Sequence, residues 1–429
     1  MSANNQGYHD SSPELDPEGR KYGFSNTGTA TVGSGGALWT ADAARRTKRS
    51  KMMMIGGGLA LIGVIIIVVV VGVVVSKNNS KNSKTLSTSG GSGSSGGSGS
   101  SNSNSSVTQT NPNDPSTFVK NPKLHQSFWG MAYTPAGSQL PDCGNSLSEV
   151  ITDIQLLSQL TPRIRLYGAD CNQSALVLEA IKQTKVNMSV YLGNYPVATD
   201  NGTAYERQRD LIQSAIQTYG TQHIAGVTVG NEFMLNWVTG NGVNDPNSAV
   251  GNQGAAILIP FINDTRSMLA AMNLGSMPVG TADAGSYFNN EVLQVVDYGM
   301  ANVHPWFGNV SIDDAAGWTS DFFQQNDVAQ AQALSNKPKM YIAETGWPTK
   351  SSNAAAASDG PSLASEANLQ IFLDTFVCQA NSNGTGYFYF EFYDETWKDV
   401  TFGGVEGWWG LFTANRTLKN IEIPNCQSP

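Results

Sequence analysis

Short apolar runs and amphipathic stretches alternate from Phe128 to Trp397, and this rhythm limits the fold more than any other feature. The runs are "FWGMAYTP", "RIRLYG", "VNMSVYLGNYP", "IAGVTVGNE", "MPVGTADAG", "ANVHPWFG", "KMYIAETGWP" and "GYFYFEFYDETW". Between them lie stretches with helical periodicity, such as "SLSEVITDIQLLSQL", where Val150, Ile154, Leu157 and Leu160 fall on one face. A strand covered by helices reads as a near-continuous apolar run. Eight strand–helix units in about 300 residues predict an α/β fold of the (β/α)8, TIM-barrel type. A doubly wound open sheet fits less well, because no G-x-G-x-x-G turn follows the first strand.

Residues upstream of this rhythm are of three other kinds. Residues 1–51 are mostly polar, rich in Gly, Ser and Asn, and read as a disordered tail ending in the basic "RRTKRSK". Met52–Val75 is apolar over 24 residues, without one charge. As a helix at about 1.5 Å per residue it is long enough for a hydrocarbon core of about 30 Å. Residues 76–119 form a Ser/Gly/Asn-rich linker, and 120–429 the expected catalytic domain. The basic cluster before the span predicts a cytoplasmic N-terminus and an exterior C-terminal domain, a single-pass type II arrangement in the plasma membrane.

The four cysteines, Cys143, Cys171, Cys378 and Cys426, all follow the span, as suits an oxidising compartment. Cys143 and Cys171 follow neighbouring strands and are expected to pair. The C-terminal Cys426 is expected to close against Cys378 on the last long helix. Nine N-x-S/T sequons also follow the span: Asn78, Asn104, Asn172, Asn187, Asn201, Asn263, Asn309, Asn383 and Asn415. The net charge of −9 gives no sign of a nucleic-acid partner.

Catalytic groups of such barrels sit on the loops at the C-terminal ends of the strands. There the sequence supplies Tyr133, Arg165, Tyr167, Tyr195, Asn231, Glu232, Asp283, Tyr287, His304, Trp306, Glu344, Trp347, Glu391 and Trp397. Glu232 and Glu344 each end an apolar run. A carboxylate pair flanking a bond is what glycoside hydrolysis requires, roughly 5–5.5 Å apart when configuration is retained. A glutamate at a strand end can equally be a cap or an ion-pair partner. The surrounding aromatic rings favour a sugar, whose C–H faces stack on them.

The motifs "VTVGNE", "YIAETGWPT", "NVHPWFG", "FYFEFYDETWK" and "VEGWWGLF" resemble those of glycoside hydrolase family 17, the fungal and plant β-1,3-glucanases. The resemblance runs from about Phe128 to Phe412. It implies a (β/α)8 barrel, retention of configuration, and a β-1,3-glucan as substrate and partner. By matching motifs it makes Glu232 the proton donor and Glu344 the nucleophile. It places Asn231 on the sugar 2-hydroxyl and Tyr133, Glu391 and Lys398 along the cleft. Arg165, Tyr167, Asp283, Tyr287, His304, Trp306 and Trp347 are expected to complete the substrate site. The tail, span and linker resemble those of membrane-anchored fungal members associated with the cell wall. "HPWF" and "TADAGSYF" depart from the plant pattern, so plant subsite preferences do not carry over. No metal and no cofactor are implied. Three activities remain open: hydrolysis of internal linkages, glucanosyl transfer by the same glutamates, and glucan binding without cleavage. Oligomeric state is not readable.

Overall fold

The computed structural model describes residues 107–111 and 113–427. The tail, the span at 52–75, most of the linker, and Asn78 and Asn104 lie outside the described residues. Among those described, no helix is long and apolar enough to cross a membrane.

Eight parallel strands close into a barrel. They are β1 (Gly130–Ala132), β2 (Arg163–Arg165), β3 (Ser189–Asn194), β4 (Ile224–Asn231), β5 (Val279–Ala284), β6 (Tyr298–Asn302), β7 (Lys339–Thr345) and β8 (Tyr387–Tyr389). β8 pairs with both β1 and β7 and completes the ring. The helices are α1 (Leu147–Leu157), α2 (Gln173–Thr184), α3 (Thr203–Tyr219), α4 (Phe233–Gly240), α5 (Ala249–Ala271), α6 (Asn290–Leu293), α7 (Ile312–Phe322), α8 (Glu366–Ser382) and α9 (Thr396–Phe402). A π-helical segment, Phe323–Val328, prolongs α7 into Ala329–Gln332. α1 starts where Ser146 accepts the Glu149 amide, and it buries Val150, Ile154 and Leu157 as the periodicity predicts.

The lower barrel is filled by rings. Tyr191, Tyr298, Tyr341 and Phe388 pack together, mostly edge to face, with Trp129 beside them. Gly280 makes room for this layer: a Cβ there would lie 2.2 Å from the Tyr298 ring. The aliphatic residues on the other face of the strands, such as Val227, Val229, Ile342 and Ala301, belong to the larger core beneath the helices.

Three expectations need correction. The folded part begins before Lys120: Thr108–Gln109 pairs with Phe118–Val119, Val107 is buried, and Gln155 donates to Pro115 O at 2.8 Å. The polar composition of 107–119 hid a hairpin stitched to α1. The sixth strand starts before the run "ANVHPWFG": of the "NEVLQVVDYG" that precedes it, only Asn290–Leu293 is helical, and its end opens β6, because Tyr298 pairs with strands on both sides. α4 is an additional helix between β4 and the long α5.

The disulfides Cys143–Cys171 and Cys378–Cys426 are both formed. The seven described sequon asparagines, Asn172, Asn187, Asn201, Asn263, Asn309, Asn383 and Asn415, are all exposed.

Candidate active site

Two irregularities in the sheet bring the acidic pair to the barrel mouth. Between β4 and β5 the register shifts from Thr228↔Gly280 to Asn231↔Ala282, so β4 carries one residue too many. Gly230 absorbs it at φ +97°, where any side chain would be strained. Glu232 follows in the left-handed region (φ 54°) and starts α4. A non-glycine residue there stores strain of about 1–2 kcal/mol, a cost found at functional positions. Between β6 and β7 the shift runs from Ala301↔Ile342 to Asn302↔Glu344, with Ala343 the extra residue. Ile342 faces the helices, so strict alternation would send Glu344 the same way. The bulge turns it inward to face Asn302.

One guanidinium organises the floor. Arg165, at the end of β2, is buried and donates through Nη2 to Asn231 Oδ1 (2.8 Å). Its Nη1 reaches Ala343 O (3.2 Å) and Glu344 Oε1 (3.4 Å). Tyr167 stacks on the guanidinium at 4.3 Å. The second oxygen of Glu344 lies 3.1 Å from His304 Nε2. His304 is set among Phe307, Phe390 and Trp409. Asn302 donates Nδ2 to Glu232 Oε1 at 3.1 Å.

These partners tune the two acids in opposite directions. Burial, and then the negative charge of Glu344, push the Glu232 carboxyl up to about 7, against the pull of Asn302 and His304. Burial acts on Glu344 too, but the His304 hydrogen bond and the charges of Arg165, His304 and Lys398 outweigh it. Its carboxyl lies below the ordinary value. At neutral pH the pair therefore holds one acid that can carry its proton and one ionised carboxylate. That division is what a general acid and a nucleophile need.

The remaining expected residues divide into cleft and support. Tyr195 is 39% exposed at the end of β3. Its phenol is pushed up by desolvation and by the charges of Glu232, Glu344 and Asp283. Tyr167, Lys398 and Trp397 are also partly open. Lys398 bridges Glu391 (2.7 Å) and Glu395 (3.2 Å), and burial pushes the Glu391 carboxyl well up.

Trp347 and Trp306, by contrast, are core. Trp347 is wholly buried, donates to Leu363 O and packs edge to face on Trp306. Tyr133 is buried with its hydroxyl on Asp153, which Arg416 also holds. Asp283 is buried and accepts the Met234, Leu235 and Ala284 amides, capping the start of α4 directly after Glu232. Tyr287 packs against Leu235 and Val238. Direct sugar contact by Trp347, Trp306, Tyr133 and Asp283 is thus corrected to support of the floor, whereas Tyr287 is as open as Glu344, both at 6%. A large ring or acid at a strand end looks alike in sequence whether it faces the mouth or the helices.

Two residues were missed. Asn302, the last residue of β6, was legible as the strand-end residue two before His304. Glu406, within "VEGWWGLF", is partly exposed and interacts electrostatically with Glu232, Glu344, His304 and Lys398. Its carboxyl is pushed up by burial first. No regular element carries it, so strand-end reasoning could not find it. Among the described residues, no cluster of His, Cys, Asp and Glu could hold a metal ion.

Solved structures with a similar fold include the glycoside hydrolase family 17 beta-1,3-glucanosyltransferase from Rhizomucor miehei. That protein is 25% identical, with TM-score 0.55 over 70% of this chain and 98% of its own. An endo-laminarinase from Formosa shares the fold at 17% identity and TM-score 0.54, over 67% and 84% of the two chains. Among curated proteins, the btgC protein of Aspergillus niger is 38% identical over 72% of this chain and 45% of its own length. The glucan endo-1,3-beta-glucosidase btgC of Emericella nidulans is 34% identical over 71% and 47%. The chain thus spans about half the length of the curated relatives it matches. Residues 130–410 match the BtgE/BtgC glycoside hydrolase domain from the first barrel strand to past the last. With that match over most of the described barrel, the chain belongs to the BtgE/BtgC glycoside hydrolase family.

Proposed function

We propose that the protein is a retaining glycoside hydrolase that cleaves internal β-1,3-linkages of cell-wall glucan. The observation that carries this is the opposite tuning of Glu232 and Glu344 in one buried network. In the first step a Glu344 oxygen attacks the anomeric carbon while Glu232 gives its proton to the glycosidic oxygen. The C–O bond breaks and the leaving chain departs as an alcohol. A glycosyl ester on Glu344 remains. Glu232, now a carboxylate, takes a proton from the incoming hydroxyl, whose oxygen displaces Glu344 and restores both groups. Arg165 and His304 hold the Glu344 oxygens for in-line attack, and Asn231 is held by Arg165 beside them.

Glucanosyl transfer uses the same first step and differs only in whether water or a sugar hydroxyl attacks. The name of the Rhizomucor miehei protein keeps it as the second reading. Incubating the fragment from Lys51 onward, its apolar span deleted, with a laminarin oligosaccharide separates the readings. Shorter products alone support hydrolysis, whereas products longer than the substrate support transfer. Binding without turnover would favour a non-catalytic wall-glucan receptor and overturn both.

The domain is proposed to face the cell wall from a plasma-membrane anchor at Met52–Val75, with residues 1–51 cytoplasmic. The basic run before the span supports this orientation, as do two disulfides and seven exposed sequon asparagines after it. Protease digestion of intact cells tests it: an exterior domain is lost and the tail survives.

A further inference from the structure

A half-open surface cavity lies away from the mouth. It measures about 430 Å³ and sits at the opposite end of the barrel, where α2 and α3 end and β3 and β4 begin. That volume is in the range of small-ligand sites. Its wall combines Tyr219, the last residue of α3, with Leu178 and Ile181 of α2 and the polar Lys182, Gln222 and His223. Lys182 lies 5.8 Å from the centre of the Tyr219 ring. His223 is fixed by a 2.9 Å contact between Nδ1 and Met188 O. One further residue of the wall is Asn187, the exposed asparagine of the sequon Asn187-Met188-Ser189.

We propose that the first sugars of an N-linked glycan on Asn187 lie in this cavity against Tyr219 and complete the base of the domain. The chemistry suits the occupant. An N-acetylglucosamine unit has an apolar ring face for the half-buried Tyr219 side chain and hydroxyls for the exposed Lys182 and Gln222. The attachment point is part of the wall, so docking costs little of the entropy a free ligand would lose. Asn383 makes the contrast: the crevice it borders measures about 10 Å³ and admits no sugar. The inference rests on the exterior placement of the domain, since glycosylation needs the secretory route, but not on its activity.

The test uses the full chain expressed in a glycosylating yeast. Mass spectrometry of glycopeptides reads occupancy at Asn187, Asn263 and Asn415. Endoglycosidase H under native conditions then reads how fast each glycan is released. The expected result is an occupied Asn187 whose glycan leaves at least tenfold more slowly than that on Asn263, a difference erased by Tyr219→Ala. An occupied Asn187 released as fast as Asn263 in the unmutated protein overturns the proposal, whatever the variant does. An unoccupied Asn187 beside an occupied Asn263 also overturns it while leaving the exterior placement intact. If no sequon is occupied, both fall.

Discussion

At the scale of single residues, the site depends on how two chemically identical side chains are made different. In the proposed mechanism Glu232 must keep its proton and Glu344 must lose it, so activity should be confined between their titrations. Because Glu232 is pushed up to about 7, kcat/KM should fall as pH rises through about 7 and the acid loses its proton. Because Glu344 is held below the ordinary glutamate value, the acid limb should lie below that value. A profile with no alkaline limb below pH 8 contradicts the assignment. Asn302→Ala removes a hydrogen bond that favours ionised Glu232, so the alkaline limb should move up while the acid limb stays. Glu344→Gln should lower kcat by at least about 10³-fold, read by single-turnover kinetics. The aromatic residues separate by readout. Tyr195→Ala should raise KM about tenfold with Tm unchanged, because it loses about one stacking contact. Trp347→Ala should instead cost about 3–5 kcal/mol of stability in denaturant melts, because its ring fills the core.

At the scale of elements, the strand ends and helix starts hold the acids in place. Asp283 at the end of β5 accepts the first amides of α4, and Glu232 is the residue immediately before that helix. Asp283→Ala leaves those buried donors unmet. It should cost about 1–3 kcal/mol and lower kcat more than KM, by displacing Glu232. The π-helical segment after α7 carries a second buried acid, Asp327. Both its oxygens are without hydrogen-bond partners, beside Gly285 in the turn that follows β5. Burial pushes its carboxyl well up, with no charged group acting on it. Its folded value is above its unfolded one. Stability is therefore full below the unfolded value and is lost as pH rises toward the folded one. Asp327→Asn should stabilise the protein by about 1–3 kcal/mol at pH 7 and by nearly nothing at pH 3, read as the pH dependence of Tm. An equal effect at both pH values would show that ionisation is not the cause.

At the scale of the whole molecule, the barrel is closed by its last strand and clasped by its tail. Cys378–Cys426 ties the C-terminal segment to α8, and the buried Lys419 bonds Asp394 and Thr349. Replacing both Cys378 and Cys426 by Ser should cost about 2–5 kcal/mol, visible as a lower denaturation midpoint, with kcat nearly unchanged in the folded protein. What the sequence by itself determined is periodic. Short apolar runs and 3.6-residue amphipathic stretches alternate along the chain, so eight strands, most of their helices and the acids at their ends could be read directly. The disulfide partners followed from that order. What only the tertiary structure decided is which way each strand end turns. A bulge exists only against a neighbouring strand. The extra residues at Gly230 and Ala343, which bring Asn231 and Glu344 into the mouth, cannot be seen in either strand alone. Trp347 and Asp283 were read as facing the substrate when they face the core, because a residue type at a strand end does not show which way its side chain points. The choice between proton donor and nucleophile is tertiary as well. It is set by the burial of Glu232 beside the charge of Glu344 and by Arg165, His304 and Lys398 around Glu344, groups distant in sequence, because electrostatic tuning acts across space and not along the chain.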